Sequence, residues 1–377
     1  MGMSHAMDRF VAVIPAGGVG SRLWPLSRAA SPKFLHDVMG NGSSLLADTW
    51  DRLVALCAPE RILVVTGAAH GEAVREQLPE LLDKNVVLES EGRDSTAAIG
   101  LAAAILERRM PGAIIGSFAA DHLIGNLSRF RSAVREAVRA ADAGMIATIG
   151  IQPIEPSTAF GYIRAGAPLE IKGAPSARSV EAFVEKPAAS TARRYLASGE
   201  YLWNAGMFIA RAERLLEELA GNRPELAAGI NEIADAWDTD AREEVVARVW
   251  PTLEKIAIDY TVAEPAAAKG ALAVIPGFFQ WDDVGDFASV SRLRQIEQAA
   301  AGESPHLVVM GDEERVIGHE ATGLVLSKTD RVIAVAGIQD VVIVDTDDAI
   351  LVTTRQKAQQ VKQLVGKLKE SPHPEVL

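Results

Sequence analysis

Hydrophobic and polar residues follow two different patterns along the first 150 residues. Short runs of β-branched and other apolar residues predict strands, and these runs span 10–15, 61–66, 85–88, 113–118 and 145–151. Longer amphipathic segments separate them. In 127–143, for example, apolar side chains recur every three or four residues, which predicts a helix with one buried face. Strands separated by helices indicate right-handed crossovers and a doubly wound, Rossmann-like α/β domain with a mixed, mainly parallel sheet.

The pattern becomes looser from about residue 152. Strands at 179–184 and 271–275 are expected to extend the same sheet, and 211–256 is predicted to be helical. A small, polar stretch at 299–305 is interpreted as a linker. After it, apolar runs at a spacing near ten residues indicate a compact β unit, and they span 323–327, 331–335, 340–345 and 349–353. A helix over 356–368 closes the chain, so the predicted domains are 9–298 and 306–370.

Composition places the chain among ordinary globular proteins. Its 377 residues suggest two or three structural units, and 48% hydrophobic residues suffice for a sizeable core. The formal net charge of −12 argues against nucleic-acid binding. No apolar run reaches the roughly 18 residues of a membrane span, and Cys57, the single cysteine, is predicted to be a buried free thiol. We therefore expect a cytoplasmic protein without a membrane partner.

A glycine-rich segment follows the first predicted strand directly. It contains Gly17, Gly18 and Gly20, and it is followed by Arg22 and Lys33. Glycines between a strand and a helix allow backbone N–H groups to approach phosphate oxygens, and a helix N-terminus adds a positive partial charge. The two cations beside the glycines favour a phosphate-binding loop over a plain turn.

Several common motifs do not fit this sequence. A dinucleotide-binding GxGxxG frame that starts at Gly18 places Leu23 where the third glycine is needed. No Gly-Lys-Ser/Thr follows, as a nucleoside-triphosphatase loop would require. The sequence also lacks a Gly-x-Ser-x-Gly elbow and a His-Glu-x-x-His zinc motif, so neither a serine hydrolase nor a zinc peptidase is indicated.

The segment 17–33 resembles the opening motif of the sugar-nucleotide pyrophosphorylases, and the Trp-Pro-Leu-Ser-Arg at 24–28 resembles the mannose-1-phosphate guanylyltransferase branch. Later segments are similar to that branch in order and spacing, and they span 89–99, 119–122, 160–163, 183–187, 203–208 and 281–285. Ordered agreement from residue 9 to about 290 identifies the chain as a member of this family.

The resemblance implies an enzyme that makes GDP-mannose and pyrophosphate from GTP and mannose 1-phosphate with Mg²⁺, without a covalent intermediate. It also implies a nucleotide-diphospho-sugar transferase fold with a β-helix-like C-terminal unit, and a homo-oligomer, with a dimer favoured. Two alternatives stay open: the same chemistry with another sugar 1-phosphate or nucleotide, and a non-catalytic paralogue that senses GDP-mannose. Longer relatives append an isomerase domain for which 377 residues leave no room, so a monofunctional enzyme is expected.

The same resemblance assigns the nucleotide-binding residues, which are Ala16, Gly17, Gly18, Gly20, Ser21, Arg22, Lys33, Glu89, Arg93 and Asp121. Arg22 can present a bidentate guanidinium to the β- and γ-phosphates, and Lys33 a point charge near the α-phosphate. Asp121 follows a predicted strand at the end where ligands bind in open α/β sheets. Carboxylates suit Mg²⁺, and the resemblance makes Asp121 and Asp283 metal ligands, although Asp also commonly caps such turns.

The sugar phosphate is assigned by resemblance to Gly161, Tyr162, Glu185, Lys186 and Asn204. The Glu185 carboxylate would contact sugar hydroxyls, and the Lys186 ammonium would hold the attacking phosphate. The predicted catalytic residues are therefore Arg22, Lys33, Lys186, Asp121 and Asp283. The base is expected to lie near 89–93 and the backbone of Gly17 and Gly18, without one residue that clearly reads guanine.

The sequence departs from the branch's usual pattern at several positions. Ser90, Asp94, Ala159 and Pro265 stand where proline, asparagine, glycine and lysine are usual, and 32–35 lacks a glutamine. Asp94 matters most, because it adds a negative charge near the expected phosphates.

Overall fold

The computed structural model describes residues 4–300, 302 and 306–377. The strands are β1 (Phe10–Ala16), β2 (Ile62–Gly67), β3 (Val86–Glu89), β4 (Ile114–Ser117), β5 (Leu123–Ile124), β6 (Ile146–Ile151), β7 (Tyr162–Pro168), β8 (Arg178–Val184), β9 (Tyr201–Arg211), β10 (Leu272–Gly277), β11 (Trp281–Asp282), β12 (Leu307–Met310), β13 (Val316–His319), β14 (Gly323–Ser327), β15 (Ile333–Ala336), β16 (Val341–Asp345) and β17 (Ile350–Thr354).

The α-helices are α1 (Ser4–Asp8), α2 (Leu45–Val54), α3 (Gly71–Gln77), α4 (Asp94–Arg109), α5 (Leu127–Asp142), α6 (Ala189–Ser198), α7 (Ala212–Asn222), α8 (Pro224–Ala236), α9 (Arg242–Val249), α10 (Glu264–Ala268), α11 (Phe287–Ala300) and α12 (Val361–Lys369). Within the described residues, none of these helices is long and apolar enough to cross a membrane.

The chain divides into two compact units, and each unit is assembled from separate stretches of sequence. The first unit contains 4–17, 49–120 and 124–281, and the second contains 18–48, 121–123 and the described residues of 282–377. The division into 9–298 and 306–370 stays a prediction. In the predicted linker at 299–305, the first two residues belong to α11, and 301 and 303–305 lie outside the described residues.

The first unit is built on a nine-stranded mixed sheet with the order β3-β2-β1-β4-β9-β6-β10-β8-β7. Strands β3, β2, β1 and β4 are parallel neighbours, whereas β9 runs antiparallel to β4, β6 and β7. The predicted mixed α/β sheet is confirmed, and β8 and β10 extend it as expected, but the sheet is not mainly parallel, since β8 and β9 contribute antiparallel pairings. The parallel part is confined to β3-β2-β1-β4 and the β6–β10 pair, because β9 separates them.

Helix α4 lies in the main hydrophobic core of this unit. Its buried side chains, such as Leu101 and Ile105, pack with Leu219 of α7 and Ile230 of α8. Parallel strands end at one edge of a sheet, so β1 and β3 bring Ala16 and Glu89 to the same edge.

The single cysteine of the chain is buried in the first unit. Cys57 carries a free thiol, as predicted. Burial raises the pKa of this thiol to about 11, so it is protonated near neutral pH and is a poor nucleophile.

The second unit contains a β-helix-like arrangement. Strands β12, β14 and β16 are parallel neighbours, β17 pairs antiparallel with β16, and β13 and β15 form a second parallel pair. Leu307, Gly323 and Val341 share one register position, so the chain returns to it after each coil. The predicted C-terminal β unit is confirmed, and the predicted closing helix is present as α12, preceded by the 3₁₀ segment Arg355–Gln360.

From Gly18 onwards, the glycine-rich loop belongs to this second unit. Leu23, Trp24 and Leu26 share a hydrophobic cluster with side chains of the β-helix and its flanking helices. The Trp24 indole Nε1 donates a hydrogen bond to the Val376 carbonyl at 2.8 Å. The loop conformation therefore depends on residues near the end of the chain.

Candidate active site

The second unit contains a cavity of about 300 Å³ with a largely polar lining, which we call the polar cavity. Separate stretches of the chain supply its lining residues, which are Gly20, Ser21, Arg22, Lys33, Asp121, His122, Asp283, Gly285 and Lys362. Four of the predicted catalytic residues, Arg22, Lys33, Asp121 and Asp283, meet here. The fifth, Lys186, belongs to the first unit.

A larger cavity of about 990 Å³ lies in the same unit, and Arg294 and Gln339 are among its lining residues. None of its described lining residues is a predicted site residue. The smaller cavity is the candidate site because it combines paired carboxylates with several cations.

The side chain of Lys33 is buried in the polar cavity and fully hydrogen-bonded. Its Nζ lies 2.8 Å from the Asp121 carboxylate and donates to the backbone oxygens of Asp283 at 2.6 Å and Val284 at 3.3 Å. An ammonium group has three donors, and all three have acceptors here. Lys33 therefore joins the Asp121 and Asp283 segments, in addition to supplying a positive charge.

Two unusual backbone conformations permit this arrangement. Gly20 has a φ of +72°, and a Cβ at this position would lie 2.5 Å from the Lys33 Cβ, so only glycine fits. Val284 has a φ of +46°, which is rare for a β-branched residue. With this backbone conformation, the consecutive carbonyls of Asp283 and Val284 both accept hydrogen bonds from Lys33 Nζ. Such strain costs roughly 1–3 kcal/mol and is common at functional sites.

The two carboxyl groups of the polar cavity differ in their acidity. Burial alone would raise the pKa of Asp121, but the Lys33 ammonium and His122 lower it below its usual range. Burial raises the pKa of Asp283 to about 6, and the carboxylates of Asp282 and Asp121 add to the rise against the opposing charge of Lys33.

The donor set of the polar cavity fits a hard divalent cation. Asp121 and Asp283 offer carboxylate oxygens from separate segments of the chain. Within the described residues, no group of three or more His, Cys, Asp or Glu side chains could hold a metal by itself. Mg²⁺ is often bound by one or two carboxylates together with substrate phosphates and water.

Arg22 is held in place by the C-terminal part of the chain. Its Nη1 donates to Gln359 Oε1 at 2.9 Å, and Gln359 Nε2 in turn donates to the Asp286 carboxylate. The guanidinium is thus anchored on one side while it lines the polar cavity.

In the first unit, β9, the ends of β7 and β8 and the turn that begins at Asp259 bring a second group of polar residues together. Asn204 of β9 donates its backbone N–H to the Gly161 carbonyl at 2.8 Å, and its Nδ2 donates to Asp259 Oδ1 at 2.8 Å. Lys186 Nζ lies 2.6 Å from Glu185 Oε1. A Cβ on Gly161 would lie 2.5 Å from Glu185 Oε2, so a larger residue here would displace the Glu185 carboxylate. We call Glu185, Lys186, Asn204 and Asp259 the carboxylate cluster.

The carboxylate cluster carries strongly perturbed charges. Burial and the Glu185 carboxylate raise the pKa of Asp259 to about 7. Burial lowers the pKa of Lys186, but the hydrogen bond and charge of Glu185 raise it above its usual value overall. Glu185 Oε2 is buried and has no hydrogen-bond partner among the described residues. This cluster therefore has unused acceptor capacity.

Glu89 ends β3 with a buried carboxyl group. Burial raises its pKa to about 7, and its Oε1 has no hydrogen-bond partner among the described residues. Gly17 lies alongside, since a Cβ there would be 3.7 Å from Glu89 Oε2. A buried acceptor without a partner costs free energy unless a ligand donates to it.

Some predicted site residues have other bonding partners in the structure. The Arg93 guanidinium donates to the Leu253 carbonyl at 3.1 Å and also contacts the Pro251 carbonyl and Glu91. Tyr162 is buried, and its hydroxyl donates to the Ser157 carbonyl at 2.9 Å. Their roles in ligand binding stay predictions.

Asp94 has a local structural role. It adopts a φ of +65°, and its carboxylate accepts from the Ser95 N–H at 2.7 Å at the start of α4. Its charge also contributes to the raised pKa of Asp259.

The predicted site residues do not include Asp259 and Lys362. Asp259 opens a π-helical turn, Asp259–Ala263, and such turns are frequent at functional sites. Lys362 lies in the first turn of α12, in a segment predicted only as a closing helix. The packing of the folded chain brings each of these residues to its site.

A glycine-rich loop, cations and paired carboxylates are typical of phosphate-binding sites, and comparison with known proteins specifies the class of protein. The family model described as Nucleotidyl transferase matches residues 11–300. A second model, described as MannoseP isomerase/GMP-like beta-helix domain, matches residues 314–368.

Curated relatives resemble the chain over nearly all its length. The mannose-1-phosphate guanylyltransferase ManC of Salmonella typhimurium is 38% identical over 374 residues, which is 97% of this chain and 75% of ManC. The xanthan biosynthesis protein XanB of Xanthomonas campestris is 37% identical over 98% of this chain and 75% of its own length. The mannose-1-phosphate guanylyltransferase of Escherichia coli K12 is 36% identical, with 97% and 74% covered.

A solved structure agrees. The crystal structure of mannose-1-phosphate geranyltransferase from Thermus thermophilus superposes with a TM-score of 0.79 at 31% identity, covering 96% of this chain and 99% of that one. The chain therefore belongs to the nucleotidyl transferase family, within its mannose-1-phosphate guanylyltransferase branch.

Proposed function

We propose that this chain transfers a guanylyl group from GTP to mannose 1-phosphate, forming GDP-mannose and pyrophosphate with Mg²⁺. The observation that carries the proposal is the meeting of Arg22, Lys33, Asp121 and Asp283 in the polar cavity. The names of the relatives support the choice of guanine nucleotide and mannose phosphate.

The proposed step is a direct displacement at the α-phosphorus of GTP. A phosphate oxygen of mannose 1-phosphate forms a new P–O bond to this phosphorus. The bond from the α-phosphorus to the oxygen it shares with the β-phosphorus breaks, and its electron pair leaves with pyrophosphate. Such a reaction depends on positioning and charge neutralisation rather than on a protein nucleophile.

In the polar cavity, the Arg22 guanidinium would donate to the β- and γ-phosphate oxygens. Lys33 would hold Asp121 and the Asp283 segment in position, as its three hydrogen bonds indicate. Asp121 and Asp283 would bind Mg²⁺, which supplies charge stabilisation for the triphosphate. Their carboxylates need to be ionised for this role, so the raised pKa of Asp283 predicts weaker metal binding below pH 6.

The first unit would bind the sugar phosphate. Lys186 would neutralise the attacking phosphate, while the unpartnered Oε2 of Glu185 would accept from a sugar hydroxyl. Asn204 would maintain the cluster through its bond to Asp259.

Glu89 would select the base. Guanine presents two N–H donor groups on its Watson–Crick edge, whereas adenine presents a ring acceptor at the matching position. The unpartnered carboxylate of Glu89 accepts from the first arrangement and repels the second. Ionisation of Glu89 is favoured when such donors are present.

The test is pyrophosphate release from GTP, ATP or UTP with a panel of sugar 1-phosphates, with and without Mg²⁺. We expect metal-dependent release with GTP and mannose 1-phosphate, together with an equal amount of GDP-mannose. Faster release with a different pair would retain the transfer chemistry and replace the substrate. Silence with every pair would overturn the proposal in favour of a sensing protein.

A further inference from the structure

Lys362 lies far along the chain from the glycine-rich loop, yet it lines the same polar cavity as Arg22 and Lys33. It occupies the first turn of α12, Val361–Lys369. The resemblance and the sequence motifs assign no chemistry to this helix.

The position of α12 is fixed by contacts within the second unit. Val361, beside Lys362, is buried in the hydrophobic cluster that contains Leu23 and Trp24 of the loop. Gln359, just before the helix, accepts the hydrogen bond from Arg22 at 2.9 Å. Lys362 is therefore held beside the loop by apolar packing and by a hydrogen bond to a predicted catalytic residue.

The charge of Lys362 is available for a ligand. Its side chain is exposed, and it forms no ion pair with any other described residue. Lys33, in contrast, is already paired with Asp121.

Lys362 also adds a third formal positive charge to the side chains that line the polar cavity. Without it, the positive charges of Arg22 and Lys33 only balance the carboxylates of Asp121 and Asp283. With it, the cavity has an excess of positive charge, which favours a polyanion.

We propose that Lys362 is a phosphate-binding residue that contacts the β- and γ-phosphates of the nucleotide and the departing pyrophosphate. This inference rests on the proposed function. It gives the C-terminal helix a direct part in substrate binding, and Gln359 a part in positioning Arg22.

The test compares Lys362→Gln with Lys367→Gln in the full chain. Lys367 is an exposed lysine of the same helix that is not among the described residues lining the polar cavity. Titration calorimetry measures the Kd for pyrophosphate in the presence of Mg²⁺, and the reverse reaction gives separate KM values for pyrophosphate and GDP-mannose. Lys362→Arg serves as the variant that keeps the charge.

We expect Lys362→Gln to weaken pyrophosphate binding by about tenfold or more, because a charged hydrogen bond is lost. Its KM for pyrophosphate should rise by a similar factor while its KM for GDP-mannose stays within twofold. Lys367→Gln should match the native protein, and Lys362→Arg should recover most of the affinity.

Unchanged pyrophosphate affinity in Lys362→Gln, when the native protein binds pyrophosphate and turns over, would overturn the role of Lys362 and leave the proposed function standing. A native protein that neither binds pyrophosphate nor turns over would overturn both.

Discussion

The polar cavity and the carboxylate cluster differ in the hydrogen-bonding groups that they offer to a ligand: the cavity offers donors, and the cluster offers acceptors. In the polar cavity, the basic side chains of Arg22 and Lys362 supply donors, and Lys33 neutralises Asp121. In the carboxylate cluster, Glu185 keeps an unpartnered acceptor and Asp259 has a pKa raised to about 7.

This difference follows the chemistry of the proposed ligands. Phosphate oxygens accept hydrogen bonds, so a polyphosphate site needs donors and positive charge. Sugar hydroxyls and the guanine edge can donate, so their sites need acceptors, as Glu185 and Glu89 provide. The two regions should therefore respond differently to substitution.

The largest effect is expected in the polar cavity. Asp283→Asn removes a proposed metal ligand, and turnover should fall by roughly a thousandfold or more, because metal charge stabilisation contributes several kcal/mol and about 1.4 kcal/mol corresponds to tenfold. Steady-state rates across a Mg²⁺ titration provide the measurement. Asp330→Asn, at an exposed aspartate, is the control. A near-native rate in Asp283→Asn would remove Asp283 from the metal site.

A smaller effect, confined to one substrate, is expected in the carboxylate cluster. Lys186→Gln removes the charge proposed to hold the attacking phosphate, so the KM for mannose 1-phosphate should rise by about 10- to 100-fold. The KM for GTP should stay near its native value. Lys172→Gln, at an exposed lysine of the same unit, provides the comparison. An equal rise in the KM for GTP would contradict the assignment of Lys186 to the sugar phosphate.

The base preference should depend on Glu89. Glu89→Gln replaces one acceptor oxygen by an N–H donor that opposes guanine, so the ratio of kcat/KM for GTP to that for ATP should fall by about 10- to 100-fold. Competition between the two nucleotides in one reaction measures this ratio directly. An unchanged ratio would assign base selection elsewhere.

A final effect concerns folding stability rather than turnover. The pKa of Glu89 is about 7 in the folded protein against an ordinary value of 4.5, so the unfolded chain loses this proton first as pH rises. Folding stability is therefore lost between about pH 4.5 and 7, and the cost is complete above pH 7. At about 1.4 kcal/mol per pKa unit, this cost is at most about 3–4 kcal/mol.

Glu89→Gln removes that cost. The variant should melt at a higher temperature than the native protein at pH 8, and the difference should shrink towards pH 5. Thermal melts at both pH values check this. An equal difference in melting temperature between the variant and the native protein at the two pH values would show that Glu89 does not titrate in this range.

The sheet was predictable because its signals are local. Strands such as β1 and β2 are continuous buried apolar runs, which predict a buried parallel sheet wherever they occur. The family motifs likewise identified Arg22, Lys33, Asp121 and Asp283, which the structure brings together.

The rest arises from packing between distant parts of the chain. Arg22 and Gln359 are 337 positions apart, and no local pattern indicates that the loop after β1 packs with the C-terminal strands. Lys362 could not be distinguished from the other lysines of its helix until that packing was known. Asp259 likewise joins the carboxylate cluster only through its contact with Asn204 of β9, which is distant in sequence.

The central claim, direct transfer without a protein intermediate, is tested most directly by the stereochemical course at the α-phosphorus. The substrate is a single diastereomer of GTP in which sulfur replaces one non-bridging oxygen of the α-phosphate. After reaction with mannose 1-phosphate, the configuration at the phosphorus that carries the sulfur is determined in the product. A single displacement predicts inversion. Retention would require two displacements, for example through the Ser21 hydroxyl that lines the polar cavity, and would contradict the account.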